Sequence, residues 1–241
     1  MNVFFDRFKY GKETIKDPLF DNPDSYGRIE LNGSLCNSCG ACKEECIVGA
    51  VDIFQGKVII DEKKCIYCGN CINACKAGAL KNTHDYRMAV LEAVENADSE
   101  AAGLALKNKI YKNFGRSLVL RSVDTGSCNA CMLELSATQN TFYSLSRYGI
   151  DFAASPRHAD GIVVTGPVTI NMKEALLKTY YAMSEPRLVI AVGTCAYDGG
   201  IFKDAYGNFE RLDKLLRVDL VVPGCPPSPQ AIIYGLNKLI K

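Results

Sequence analysis

Arg187-Leu188-Val189-Ile190-Ala191-Val192-Gly193-Thr194-Cys195 holds an unbroken apolar run, Leu188 to Val192, that stops at a glycine and reaches a cysteine two residues later. Continuous β-branched runs of this kind suit strands buried on both faces, as in a parallel sheet. Three other stretches share the build. Residues 117–123 lead through Asp124-Thr125-Gly126-Ser127 to Cys128 and Cys131. Residues 159–165 turn at Gly166-Pro167, and residues 218–222 lead through Pro223-Gly224 to Cys225. Helices fit residues 129–140, 171–183 and 227–240, the last with Ile232, Ile233, Leu236, Leu239 and Ile240 at helical spacing. This alternation predicts a doubly wound, parallel-sheet α/β domain over residues 117–241.

In such a sheet the carboxyl ends of the strands share one edge, where ligands bind. Cys128, Cys131, Cys195 and Cys225 all lie just past those ends, so the fold is expected to gather four thiolates from three loops. They suit one [4Fe-4S] cluster; a tetrahedral zinc site or plain burial as small apolar residues are the alternatives. The glycines before these cysteines let backbone approach closely and leave N–H groups to point at sulfur. Pro226-Pro227 fixes the loop after Cys225 and opens the last helix.

The other eight cysteines stand in two runs of C-x2-C-x2-C-x3-C, Cys36-Cys39-Cys42-Cys46 and Cys65-Cys68-Cys71-Cys75, an internal repeat offset by 29 residues. Such close triplets suit metal clusters more than pairing into disulfides. Between the runs, residues 51–54, Gln55-Gly56 and residues 57–60 read as a hairpin. The expected organisation is an extended N-terminal arm over 1–27 that does not pack, a small cysteine-rich domain over 28–82, a helical linker over 83–116 and the α/β domain. The linker is rich in Ala, Leu, Glu and Lys, with apolar residues at Met88, Leu91, Val94, Leu104 and Leu106.

Composition narrows the function. The formal charge is +1, which gives no basic footprint for nucleic acid. With twelve thiolates around three oxidised clusters, the charge becomes roughly −5. No run reaches the ~18 apolar residues of a membrane span. Asp6, Arg7 and Lys9 interrupt the first apolar patch, so no signal peptide is expected. Neither a phosphate loop nor G-x-G-x-x-G is present, and no nucleotide or flavin is expected.

Five ordered motifs carry a resemblance over residues 117–240. They are Gly126-Ser127-Cys128-Asn129-Ala130-Cys131 with Glu134, residues 155–160, Thr165-Gly166-Pro167-Val168-Thr169, Gly193-Thr194-Cys195 and Pro223-Gly224-Cys225-Pro226-Pro227. Together they resemble the small subunit of membrane-associated [NiFe] hydrogenases of the energy-converting and formate-hydrogenlyase type. The same domain occurs in the 20 kDa subunit of complex I, where the first two ligand cysteines are usually adjacent. Here Asn129-Ala130 separates them, which resembles the hydrogenases. Residues 34–80 resemble a bacterial two-cluster ferredoxin, fused here to the flavodoxin-like α/β domain.

The resemblances imply three [4Fe-4S] clusters. In two-cluster ferredoxins the fourth cysteine of each run serves the other cluster. That gives Cys36, Cys39, Cys42 and Cys75 to the first and Cys65, Cys68, Cys71 and Cys46 to the second. Cys128, Cys131, Cys195 and Cys225 take the third, nearest a nickel–iron centre in a partner large subunit. Ile47 and Lys76 stand where a ferredoxin has proline after its fourth cysteine. Further implied partners are other iron–sulfur or membrane subunits and a soluble ferredoxin or formate dehydrogenase-type electron partner. The expected location is the cytoplasmic face of the membrane, peripherally within a complex. Glu134 and His158 are candidates for proton relay or interface, against a helix-terminal carboxylate and a structural turn. His84 reads as a helix-start surface residue. The rival functions are a related complex I-like quinone or energy-converting oxidoreductase lacking nickel, a free polyferredoxin carrier and a zinc-bearing structural module.

Overall fold

The computed structural model describes residues 9, 17–20, 25–91 and 117–240. The chain is mixed α/β, with a small cysteine-rich domain ahead of a parallel-sheet domain. The small domain contains β1 (Ile29–Leu31), α1 (Ala41–Glu44), β2 (Val51–Phe54), β3 (Lys57–Ile60), α2 (Asn70–Ala74) and β4 (Leu80–Asn82). β1 pairs antiparallel with β4, and β2 with β3. The β2–β3 hairpin turns on Gln55 and Gly56, both at positive φ (50° and 74°), the geometry of a tight I′ hairpin turn.

The repeat is visible in the backbone. Ser38 and Tyr67 occupy equivalent positions and both sit at φ 55°. Gly40 and Gly69 open α1 and α2 in the left-handed region. The side chains diverge: Ser38 is half-buried and bonds the Gly56 carbonyl, whereas Tyr67 is buried in the core of the second domain.

That second domain holds β6 (Leu118–Asp124), α3 (Ala130–Ala137), β7 (Ile150–Phe152), β8 (Gly161–Thr165), α4 (Ile170–Tyr181), β9 (Leu188–Val192), α5 (Thr194–Asp198), α6 (Leu212–Leu215), β10 (Leu220–Val222) and α7 (Pro229–Ile240). Its strands run in the order β7-β6-β8-β9-β10, all parallel. This is the flavodoxin-like arrangement, with the order reversing between β6 and β8. Leu120, Val163, Ile190, Val222 and the α7 residues Ile232, Ile233 and Leu236 form one buried layer. Val164, Val189, Ala191, Val221 and Leu176 of α4 form the other. Each fully buried Leu or Ile contributes roughly 1.5–3 kcal/mol. The α7 periodicity therefore holds the sheet from one side while α4, α5 and α6 close the other.

Three expectations are corrected. The linker is not helical where it is described: residues 83–89 have no regular structure, and β5 (Val90–Leu91) pairs antiparallel with β10 as an edge strand. Met88 is fully buried there, so the apolar spacing read as a helix stripe instead reports docking on the sheet. Residues 92–116, including Val94, Leu104 and Leu106, lie outside the described residues. The arm, read as unpacked, is tied down where it is described. Gln230 of α7 donates to the carbonyls of Pro18 (2.7 Å) and Phe20 (3.1 Å), and Tyr26 donates to Pro226. His84, read as a helix start, instead bonds the Ser25 carbonyl through Nδ1.

The Tyr67 hydroxyl is buried without a hydrogen-bond partner among the described residues. Such a group costs about 1–3 kcal/mol. Tyr67→Phe is therefore expected to stabilise the chain by about 1 kcal/mol, raising the melting midpoint by roughly 2–4 °C. A lowered midpoint in calorimetry would contradict the orphaned hydroxyl.

Candidate metal centres

The sheet register decides where the scattered cysteines go. Asp124, Thr165, Val192 and Val222 are direct neighbours across β6, β8, β9 and β10. Each is the last residue of its strand, so four strands end level, within about 14 Å at the usual strand spacing. Cys128 and Cys131 leave the first of these ends, Cys195 the third and Cys225 the fourth.

The loops are stitched by short polar contacts. Asp124 accepts from the amides of Gly126 (2.9 Å) and Ser127 (2.8 Å) and from the Ser127 hydroxyl. Partial burial works against its charge, but these donors hold its carboxyl below the usual range. Thr125 donates to the Thr165 and Gly166 carbonyls, and Thr169 donates back to Thr125. Asn129, in the left-handed region, opens α3 and brings Cys131 inside. A Cβ on Gly193 would stand 2.5 Å from the Cys131 sulfur, so the β9–α5 turn passes directly against that thiol.

Cys131 and Cys195 are buried and share a hydrogen bond. That bond, burial and the charges of Cys195, Cys225 and Cys128 drive the Cys131 thiol far up. The same bond, aided by N–H groups of Cys195, Ala196 and Gly166, outweighs burial and draws Cys195 down. Cys225 is raised by burial and then by Cys195 and Cys128. The four sulfurs thus share one electrostatic neighbourhood in which four thiolates repel one another. A cationic core bound between them relieves that repulsion.

In the small domain Cys36, Cys39, Cys42 and Cys75 line one cavity with Leu31, Val58, Ala77 and Leu80, about 330 Å³ of atom-free space partly open to solvent. The set drawn from the ferredoxin pattern is therefore brought together, three cysteines from one run and one from the other. Cys46, Cys65, Cys68 and Cys71 form the second group. Burial, then the charges of Cys71, Cys46 and Cys68, pushes Cys65 up to about 12. Burial, then Cys68 and Cys46, pushes Cys71 up to about 11.

The repeat recurs at the sulfurs. Cys46 accepts from the Ala50 amide (3.1 Å) and Cys75 from the Ala79 amide (3.3 Å). The Ala79 amide leads the donors that lower Cys75. Amides aimed at sulfur are what a cluster ligand requires. None of the twelve cysteines is paired in a disulfide. Among the described residues no three His, Cys, Asp or Glu close on one point as ligands of a single ion would. A cubane, each iron taking one outer sulfur, needs wider spacing. Donor chemistry, cavity and amides fit iron–sulfur clusters of the cubane kind.

Glu134 lies on α3, its carboxyl raised by burial. Burial, and after it the charge of Glu134, raises Tyr143 and Tyr26. His158 goes elsewhere. It is exposed in the turn before β8, at the amino end of the sheet and a strand's length from the cysteines. The geometry favours the structural turn and gives His158 no place beside a cluster.

Three contributors escaped sequence reasoning. Asp124 carries a recognisable signal, an aspartate two and three residues before glycine and serine amides. Tyr26 is held by burial near Glu134, Cys131 and Cys225, its phenol driven well above the ordinary range. Thr194 is fully buried, and its partners lie in other loops.

Residues 128–239 match the family described as NADH ubiquinone oxidoreductase, 20 Kd subunit, and residues 58–81 match the 4Fe-4S binding domain. Over 131 residues the chain is 39% identical to formate hydrogenlyase subunit 7 of Escherichia coli (strain K12), covering 54% of this chain and 51% of that one. Over 137 residues it is 40% identical to the "Probable membrane-bound hydrogenase subunit mbhJ" of Pyrococcus furiosus, covering 55% and 82%. Over 109 residues it is 47% identical to a subunit of the NADH-quinone oxidoreductase of Geotalea daltonii, covering 45% and 64%. The chain thus spans about half of the first relative, most of the second and just under two thirds of the third.

Proposed function

The chain belongs to the family of the 20 kDa subunit of NADH ubiquinone oxidoreductase, and from that membership we propose an iron–sulfur electron-transfer subunit of a NiFe hydrogenase complex. It holds three [4Fe-4S] clusters and relays electrons between a ferredoxin-type or other redox partner and a nickel–iron large subunit. The observation that carries this is the level row of strand ends, which delivers Cys128, Cys131, Cys195 and Cys225 to one edge.

Bound clusters would take up and release single electrons. The chain's own part is to hold them, exclude water and aim amides at the sulfurs. Three groups of four cysteines account for all twelve, so the nickel ligands belong to the partner, and H2 chemistry with them. The hydrogenase-like Cys128-x2-Cys131 spacing and the two hydrogenase-related relatives support this reading. On this reading Glu134 serves the interface or a proton relay toward the partner. No helix among the described residues is long and apolar enough to cross a membrane; attachment through membrane subunits at the inner face suits the relative named as membrane-bound.

A second reading, a related quinone or energy-converting complex without nickel, is favoured by the 47% identity to the quinone oxidoreductase relative. Metal analysis of the complex captured through this chain separates them. The expected result is one nickel per chain beside at least ~12 iron with matching acid-labile sulfide. An active complex without nickel overturns the hydrogenase reading. Zinc in place of iron overturns both.

A further inference from the structure

The Thr194 hydroxyl accepts from the Gly224 amide (3.0 Å) and donates to the Cys65 carbonyl (3.0 Å). The Thr194 amide donates to the Gly224 carbonyl (3.0 Å), so the β9 and β10 loops are also clasped directly. Thr194 precedes Cys195, Gly224 precedes Cys225, and Cys65 belongs to the small domain. One fully buried hydroxyl therefore joins a cysteine of the second group to the loops presenting two cysteines of the third.

The surroundings make the junction rigid. Cys65, Tyr67 and Ala50 are buried within the α/β core. Lys63 stands 5.5 Å from the Tyr197 ring centre of α5. The Cys65 carbonyl and the Gly224 amide both lose this partner if the hydroxyl is removed, and a buried polar group left unpaired is costly.

We propose that Thr194 is a positioning residue for electron exchange between the two centres. It fixes the Cys65 loop against the Cys195 and Cys225 loops and supplies a hydrogen-bonded link between the ligand sets. The inference rests on the cluster reading above. The exchange moves one electron, oxidising one centre and reducing the other, with no bond made or broken.

The test compares Thr194→Val, which keeps shape but not the hydroxyl, with Thr194→Ser, which keeps the hydroxyl, in the intact complex. Hydrogen exchange at the Gly224 amide reports the junction whatever metal is bound. Electron paramagnetic resonance of the dithionite-reduced complex reports the magnetic interaction between centres. Redistribution of electrons after pulse reduction reports the rate. Thr194→Val is expected to speed Gly224 exchange and slow redistribution by about tenfold each, and to weaken the spin interaction at unchanged iron content. Thr194→Ser is expected to stay within about twofold of the parent, as loss of a methyl alone leaves both hydrogen bonds. Thr194→Val with full iron, unchanged spin interaction and unchanged redistribution overturns the proposal. So does a valine variant that the serine variant does not rescue. A parent complex without interacting iron–sulfur signals overturns the underlying reading, while the Gly224 arm still reports the junction.

Discussion

Gly193→Ala is expected to strip the centre held by Cys128, Cys131, Cys195 and Cys225. Gly193 sits at φ 93° and ψ 142°, a backbone region that side-chain-bearing residues avoid at a cost of about 1–3 kcal/mol. Its new methyl would press on the Cys131 sulfur at 2.5 Å and approach the Gly224 carbonyl at 3.7 Å. Buried Cys131 cannot yield without leaving its place beside Cys195. Strain and overpacking together amount to about 3 kcal/mol, a fall of roughly 6–12 °C in melting midpoint. Iron is expected to drop by about 4 of ~12 per chain. Gly207→Ala is the control, because its Cβ would meet nothing within 4 Å. A Gly193→Ala protein with full iron and parental melting would refute the close-approach argument.

Cys75→Ala is expected to abolish the centre of the other run. Cys75 lines the cavity with Cys36, Cys39 and Cys42, while Cys46 acts on Cys65 and Cys71. Its loss should match that of Cys39→Ala in the reduced spectrum, removing about one third of the iron and leaving the Cys65 centre. Cys46→Ala should give the complementary spectrum. If Cys75→Ala resembles Cys68→Ala instead, the crossed arrangement is wrong.

Some of this was readable from sequence. β6, β8, β9 and β10 follow from apolar, β-branched runs that end in a glycine or proline turn, and their cysteines follow from loop position. The hairpin at Gln55-Gly56 follows from turn chemistry. β7 and β5 did not, because β7 is broken by the charged Asp151 and β5 has only two residues. Val90 and Leu91 extend only because β10 offers them an edge, and residues 84–91 carry good helix formers. The arm's attachment through Gln230 joins residues more than 200 positions apart. The candidate ligands were legible because metal binding demands local spacing. The groups that hold them in place were not, because Thr194 is an ordinary threonine until the sheet register sets Gly224 beside it.

A duplicated ferredoxin module carries a hazard of its own. Its two ends share a backbone, so a partner fitted to one end could be offered the other. Here the two runs differ at several positions, and at one of them Ser38 is half-buried and bonds the Gly56 carbonyl while Tyr67 is sunk in the neighbouring core. Such unlike residues give a nearly symmetric module a front and a back, the Tyr67 side being the one set into the parallel-sheet domain.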